Sequence, residues 1–124
     1  MKYQVIILPA AKVDIKQAAK WIRQNNSPEK AKLWVREVND AILTLDTFPA
    51  RCALASIDNA FEEEIRQLLF GKGKNTYRVF FTIQDTLVII LRVLYTARDI
   101  EAEFEAFIDT QIKLENTVIC NYTT

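Results

Sequence analysis

Residues 77–95 read YRVFFTIQDTLVIILRVLY, and the fold is decided there. Tyr77 to Ile83 is dominated by aromatic and β-branched side chains and reads as a strand. Gln84-Asp85-Thr86 turns the chain, and Leu87 to Tyr95 is a run of Leu, Val and Ile that fits a central strand buried on both faces. Upstream, Gly71-Lys72-Gly73-Lys74-Asn75 holds both glycines of the chain and is a turn, preceded by a further strand over Ile65 to Phe70. These three strands form a meander.

Working outward, Lys2 to Leu8 is a short apolar run that ends at Pro9, again a strand. Ala11, Ile15, Ala18, Ala19 and Ile22 then recur at three- and four-residue spacing, with Lys12, Lys16, Lys20 and Arg23 on other faces, and Pro9 sits where a helix tolerates proline. Asn25-Asn26-Ser27-Pro28 stops this helix and starts another, with Ser27 as N-cap and Pro28 in the first helical position. Ala31, Trp34, Val38, Ala41, Ile42 and Leu45 make the second apolar stripe, which runs out at Phe48-Pro49. Ala50 to Glu63 is irregular and reads as a long connection. Beyond the meander, Asp99 can cap a helix whose Ile100, Phe104, Phe107 and Ile108 share a face. The expectation is an α+β domain: an N-terminal strand and a helical hairpin packed on a small antiparallel-dominated sheet (β-α-α-β-β-β), with a C-terminal helix. One domain is expected over residues 1–113, its last helix spanning 99–113, with a tail over 114–124. The strand order stays open at this stage.

The chain has 124 residues, with 16 Lys+Arg balancing 16 Asp+Glu and no His. A balanced total removes the simplest argument for a nucleic-acid or membrane-surface protein. The missing histidines exclude Ser-His and Cys-His nucleophile pairs, His-ligated zinc and a His general base. Half the residues are hydrophobic, enough for a core without staples. Cys52 and Cys120 make no CxxC pair and read as free thiols in a reducing compartment. Neither spacing nor composition calls for a metal or a cofactor. The opening run is too short for a signal peptide's apolar region, and no 18-residue apolar stretch follows, so no membrane association and a cytoplasmic location are expected.

Divided by segment, the charge is no longer even. Residues 1–63 hold nine basic and eight acidic side chains, residues 64–100 six and three, and residues 101–124 one and five. The basic excess of the sheet region is Arg66, Lys72, Lys74, Arg78, Arg92 and Arg98. Arg92 interrupts an apolar strand, and its guanidinium needs solvent, an acid or a ligand, because an unpaired buried charge is too costly. Glu101 or Glu105 of the final helix would serve as the acid, or the side chain points to water. The functional alternative is that Arg66, Arg78, Arg92 and Arg98 converge on one surface that receives phosphates or an acidic protein segment. Tyr77 and Tyr95, at strand ends near arginines, suit packing, hydrogen bonding or stacking on a base. Trp21 and Trp34 read as packing residues. The Gly71–Thr76 segment lacks GxxxxGK[ST] spacing and opens no helix, so it is not a phosphate loop. Glu62-Glu63-Glu64 point in different directions and read as a solvated strand entry.

Five segments carry a family resemblance. They are Pro9-Ala10-Ala11-Lys12-Val13-Asp14-Ile15, Ala41-Ile42-Leu43-Thr44-Leu45 with Phe48-Pro49, Glu64-Ile65-Arg66-Gln67-Leu68, Tyr77-Arg78-Val79-Phe80-Phe81, and Val93-Leu94-Tyr95-Thr96-Ala97-Arg98-Asp99-Ile100. With them the chain resembles the RelE/ParE superfamily of toxins from bacterial type II toxin–antitoxin systems, over roughly residues 2–100.

The resemblance implies a helical hairpin over an antiparallel-dominated sheet, and a cognate antitoxin as partner. It also divides by target. RelE-like members cut mRNA on the ribosome with basic and tyrosine residues, while ParE-like members hold DNA gyrase on cleaved DNA and are not hydrolases. For the endoribonuclease alternative the resemblance puts Arg78 and Arg98 in catalytic roles, where cationic side chains stabilise phosphorane charge. This sequence departs from that branch: after Arg66 come Leu68, Leu69 and Phe70 where paired lysines are expected, Phe104 lies near the place of a C-terminal tyrosine, and the chain is not basic. The ParE-like branch is therefore the closer one. Arg66, Lys72, Lys74, Tyr77, Arg78, Arg92, Tyr95 and Arg98 are the expected target- or antitoxin-binding residues, a homodimer through the C-terminal helix is a further possibility, and a non-toxic binding module on the same fold is the third alternative.

Overall fold

The computed structural model describes residues 2–55, 64–71 and 75–95. Strand β1 spans Gln4–Ile7, helix α1 Pro9–Asn25, helix α2 Pro28–Leu43, and strands β2, β3 and β4 span Arg66–Phe70, Tyr77–Gln84 and Leu87–Tyr95. Two short 3₁₀ turns, Thr44–Asp46 and Pro49–Arg51, follow α2. The expected α+β order is observed, and the expected C-terminal helix over 99–113 lies outside the described residues.

Local chemistry sets the boundaries. Leu8 is extended (φ −69°, ψ 155°), the conformation a following proline imposes, and Pro9 opens α1 where its missing N–H costs nothing. Ser27 caps α2 as its spacing predicts: its Oγ accepts the Lys30 N–H at 3.2 Å, a cap worth about 1 kcal/mol. Gly71 sits at φ +108°, and a Cβ there would lie 2.2 Å from the Asn75 carbonyl oxygen, so this turn requires glycine.

The strand order is β1-β4-β3-β2. β4 runs parallel to β1 and antiparallel to β3, and β3 runs antiparallel to β2. The Leu87–Tyr95 run is thus central and buried on both faces, as its composition required. Ala11 and Ile15 of α1 and Val38 and Ile42 of α2 pack with Val79, Phe81, Val88, Ile90 and Val93 on one face of the sheet. On the other, Phe80, Ile89, Leu91 and Leu94 cluster with Leu8 and Ile65. Each buried side chain of this size contributes about 1.5–3 kcal/mol.

Residues 50–63 read as an irregular connection, yet their first part borders the sheet. Gln67 N–H donates to the Ala53 carbonyl and Ala55 N–H to the Ile65 carbonyl, so this segment runs along the outer edge of β2. One outward amide of β2 and the carbonyl preceding the strand are thereby satisfied.

β4 carries one irregularity that positions everything below. Phe80 pairs with Arg92, while the next β3 residue, Phe81, pairs with Ile90, leaving Leu91 as an extra residue. Strict alternation would set Ile90 and Val93 on opposite faces. The bulge places both among the residues under the helices.

Candidate functional site

Among the described residues, Arg66, Arg78 and Arg92 do not gather on one surface. Arg66 Nη1 donates to the Cys52 carbonyl at 2.6 Å and the Ala50 carbonyl at 3.3 Å, and its Nη2 reaches Glu64 at 3.4 Å. It ties β2 to the second 3₁₀ turn. Arg78 alternates with Val79, which faces the helices, so Arg78 lies on the opposite face between Leu69 and Leu94 in register. Its Nε is buried with no hydrogen-bond partner. Lys72, Lys74 and Arg98 lie outside the described residues.

Arg92 meets its acid on α1. Its Nε donates to Asp14 Oδ2 at 2.6 Å and its Nη2 to Asp14 Oδ1 at 2.8 Å, a two-pronged fork between side chains 13% and 6% exposed. Asp14 Oδ2 also accepts the Val93 N–H at 2.9 Å. The sequence required an acid for Arg92 and offered Glu101 or Glu105. The acid the structure supplies is Asp14, and the two glutamates lie outside the described residues. The reason is topological: β1 pairs with β4 only as far as Ile7 with Ile90, the Leu8 N–H donates to the Ile90 carbonyl, and Pro9 then lifts the chain into α1. Helical spacing brings Asp14 down beside the bulge, where its carboxylate takes the β4 amide that β1 no longer reaches.

The two singled-out tyrosines do meet. Tyr77 and Tyr95 are register partners with ring centroids 5.3 Å apart, and Trp34 of α2 packs 5.1 Å from Tyr77 and 6.2 Å from Phe70. Burial pushes the Tyr77 phenol above its ordinary range, and the neighbouring Tyr95 adds to the shift. Trp34 is thus the packing residue expected of it. Trp21 is not: it is 58% exposed, on the rim of a cavity of about 350 Å³ between α1 and the tyrosine ends of β3 and β4.

A second concavity, of about 490 Å³, runs between the two helices. Ile15, Ala19, Ala31 and Val35 form its floor, and Lys16, Lys20, Arg23 and Lys32 its rim, with no acidic side chain among the described residues of the lining. Sequence reasoning placed three of these cations on the polar face of α1 but did not see that the turn at Asn26-Ser27 brings Lys32 of α2 to the same groove. No helix among the described residues is long and apolar enough to cross a membrane. The Cys52 thiol is free and buried, and that burial raises its pKa.

No curated protein matches the chain. A solved structure titled "Chromosomal ParDE TA system from P. aeruginosa" matches with a TM-score of 0.62 at 16% identity, covering 76% of this chain and 96% of that one, a likeness of fold. The family model described as the ParE toxin of type II toxin–antitoxin system, parDE, matches residues 5–100, from β1 through every strand and helix described above. With three-quarters of the chain inside that match, the protein belongs to the ParE toxin family of type II toxin–antitoxin systems.

Proposed function

We propose that the protein is a toxin that acts by binding DNA gyrase and is neutralised by a cognate antitoxin whose acidic, amphipathic segment lies in the groove between α1 and α2. The observation that carries the docking is the groove itself: an apolar floor of Ile15, Ala19, Ala31 and Val35 under a rim of the four cations Lys16, Lys20, Arg23 and Lys32. Helix-in-groove recognition needs such a floor for apolar anchors, and charge of one sign on the rim steers a partner of the other. Binding to gyrase is protein–protein inhibition and requires no catalytic group.

RNA cleavage is the alternative reading, and the placement of the arginines weighs against it. Arg66 is engaged by backbone carbonyls and Arg92 by Asp14, so neither cation is held ready for a phosphate. Arg78 and Arg98 remain the two residues on which cleavage would depend.

Purified protein added to a gyrase supercoiling assay, and separately to a translating extract read by primer extension, separates the two. Inhibition of supercoiling with intact mRNA is the expected result. Cleaved mRNA that is lost on Arg78→Ala or Arg98→Ala would transfer the protein to the endoribonuclease class, and activity in neither assay would leave a binding module on the toxin fold.

A further inference from the structure

The cavity beneath Trp21 is distinct from the groove between the helices. Asp14, Ala18 and Trp21 fall on one row of α1 at helical spacing, directly over the end of β4. Ala18, the small residue in that row, leaves a gap between a buried carboxylate and an exposed indole. Tyr77 and Tyr95 form the facing wall. At about 350 Å³ the cavity lies within the size range of small-molecule sites.

The chemistry of the walls narrows the ligand. Aromatic side chains on two sides suit a flat ring that stacks. Among the described residues the lining offers carboxamides and phenols and no Lys or Arg. Its one ionised group, Asp14, already receives two bonds from Arg92 and one from the Val93 amide, so a cation gains little from it. Gln17 and Asn75 contribute carboxamides, which donate and accept in the plane and match the ring-nitrogen and amino edge of a purine.

We infer that this cavity is a binding site for a single unstacked purine base, held between Trp21 and the tyrosine pair with its edge toward Gln17 and Asn75. The base is that of a free nucleoside or of an exposed nucleotide in a single strand. The site is independent of the gyrase and antitoxin reading, so its test requires no toxicity.

Adenosine is titrated into the full-length protein while the fluorescence of its two tryptophans is followed, one at the cavity mouth and the other against Tyr77. Saturable quenching is expected. Trp21→Ala removes an exposed ring and weakens binding about tenfold or more, whereas Ala18→Leu fills the gap and abolishes binding. Both variants should keep the wild-type melting curve, and for Trp21→Ala, whose signal is reduced, binding is read by calorimetry. Adenosine monophosphate should bind as well as adenosine, and ribose not at all. A hexamer of deoxyadenylate that binds and loses affinity on Trp21→Ala identifies a base in a strand as a second source. Absence of saturable adenosine binding, equal binding of ribose, or binding indifferent to both substitutions overturns the proposal. So does hexamer binding that survives Trp21→Ala, if adenosine does not bind.

Discussion

Asp14 and Arg92, 78 positions apart, form a bidentate ion pair at the one point where the central strand bulges, and the same carboxylate holds the Val93 amide. Asp14 therefore does for β4 what another strand would do, and it locks α1 to the sheet. Substituting one member breaks a largely buried bidentate ion pair, which costs about 3–5 kcal/mol. Asp14→Asn should lower stability by that amount, a large part of the 5–15 kcal/mol of an ordinary domain. Urea midpoints at pH 7 measure it. The double variant Asp14→Leu, Arg92→Met should recover part of the loss, because it removes both members of this ion pair together. If the double variant loses as much as the sum of the single ones, the two side chains are not coupled.

The half-buried tyrosine pair makes the sheet end sensitive to alkali. Burial raises the Tyr77 pKa in the folded state above its unfolded value near 10. The folded protein then retains a proton that the unfolded chain releases. Stability is fully present below the unfolded pKa and falls as pH rises through the folded one. Melting temperature should drop above pH 10, and Tyr77→Phe should flatten that drop while leaving the neutral-pH fold intact. An identical alkaline slope in the variant would assign the effect to other groups.

Much of this architecture was legible because its signals are local. The Pro9 and Pro28 helix starts, the Ser27 cap and the Gly71 turn each rest on the chemistry of a few adjacent residues, and the apolar run at Leu87–Tyr95 announces burial on both faces. Asp14 was visible too, as an acid three residues after Ala11 and one before Ile15, on the buried side of α1. It was not recognised because its partner depends on the parallel pairing of β1 with β4, which no local pattern records. The bulge hid in the same way: an extra residue in a run of Leu, Ile and Val changes the face of each later side chain without changing composition. Among the described arginines the expected convergence is not seen: Arg66 is taken up by the carbonyls of Ala50 and Cys52, Arg92 by Asp14, and alternation puts Arg78 on the sheet face away from the helices. Trp21 lies near the apolar stripe of α1 and so resembles a packing residue, and nothing in the sequence shows that Ala18 leaves a gap beside it.

Phe48 adopts the left-handed region (φ 46°, ψ 59°) while 66% exposed, at the entry to the second 3₁₀ turn. A side chain there costs about 1–2 kcal/mol that glycine does not incur, against about 0.5–1 kcal/mol for the added freedom of glycine in the unfolded chain. Phe48→Gly should therefore be neutral to stabilising by about 1 kcal/mol, read as a small rise in melting temperature. A clear fall would mean that the Phe48 ring makes contacts beyond those its exposure allows.

Gly71 gives the opposite sign. Its φ of +108° and the 2.2 Å approach of the Asn75 carbonyl leave no room for a methyl group, and the obstacle is backbone. Gly71→Ala should cost about 1–3 kcal/mol through strain alone. Because β2 and β3 meet across this turn, with Phe70 opposite Tyr77, hydrogen exchange of the Phe70 and Tyr77 amides should accelerate more than that of β1.

The groove between the helices supplies the prediction closest to function. Lys16, Lys20 and Lys32 stand on the rim over Ile15, Ala31 and Val35, and their charges are exposed, so replacing them should leave the fold almost unchanged. The triple variant Lys16→Glu, Lys20→Glu, Lys32→Glu turns a cationic rim acidic. Like charge then meets an acidic antitoxin segment, and association should slow about tenfold or more at low salt, with the difference shrinking as ionic strength rises. Val35→Asp instead attacks the floor, and its effect should appear in dissociation and persist in high salt, because an apolar anchor loses its seat. Surface plasmon resonance of the antitoxin over each variant separates the two rates. A triple variant that binds with wild-type association rate at every salt concentration would remove the groove as the docking site, and gyrase inhibition that escapes antitoxin control only in these variants would tie the groove to neutralisation and not to the target.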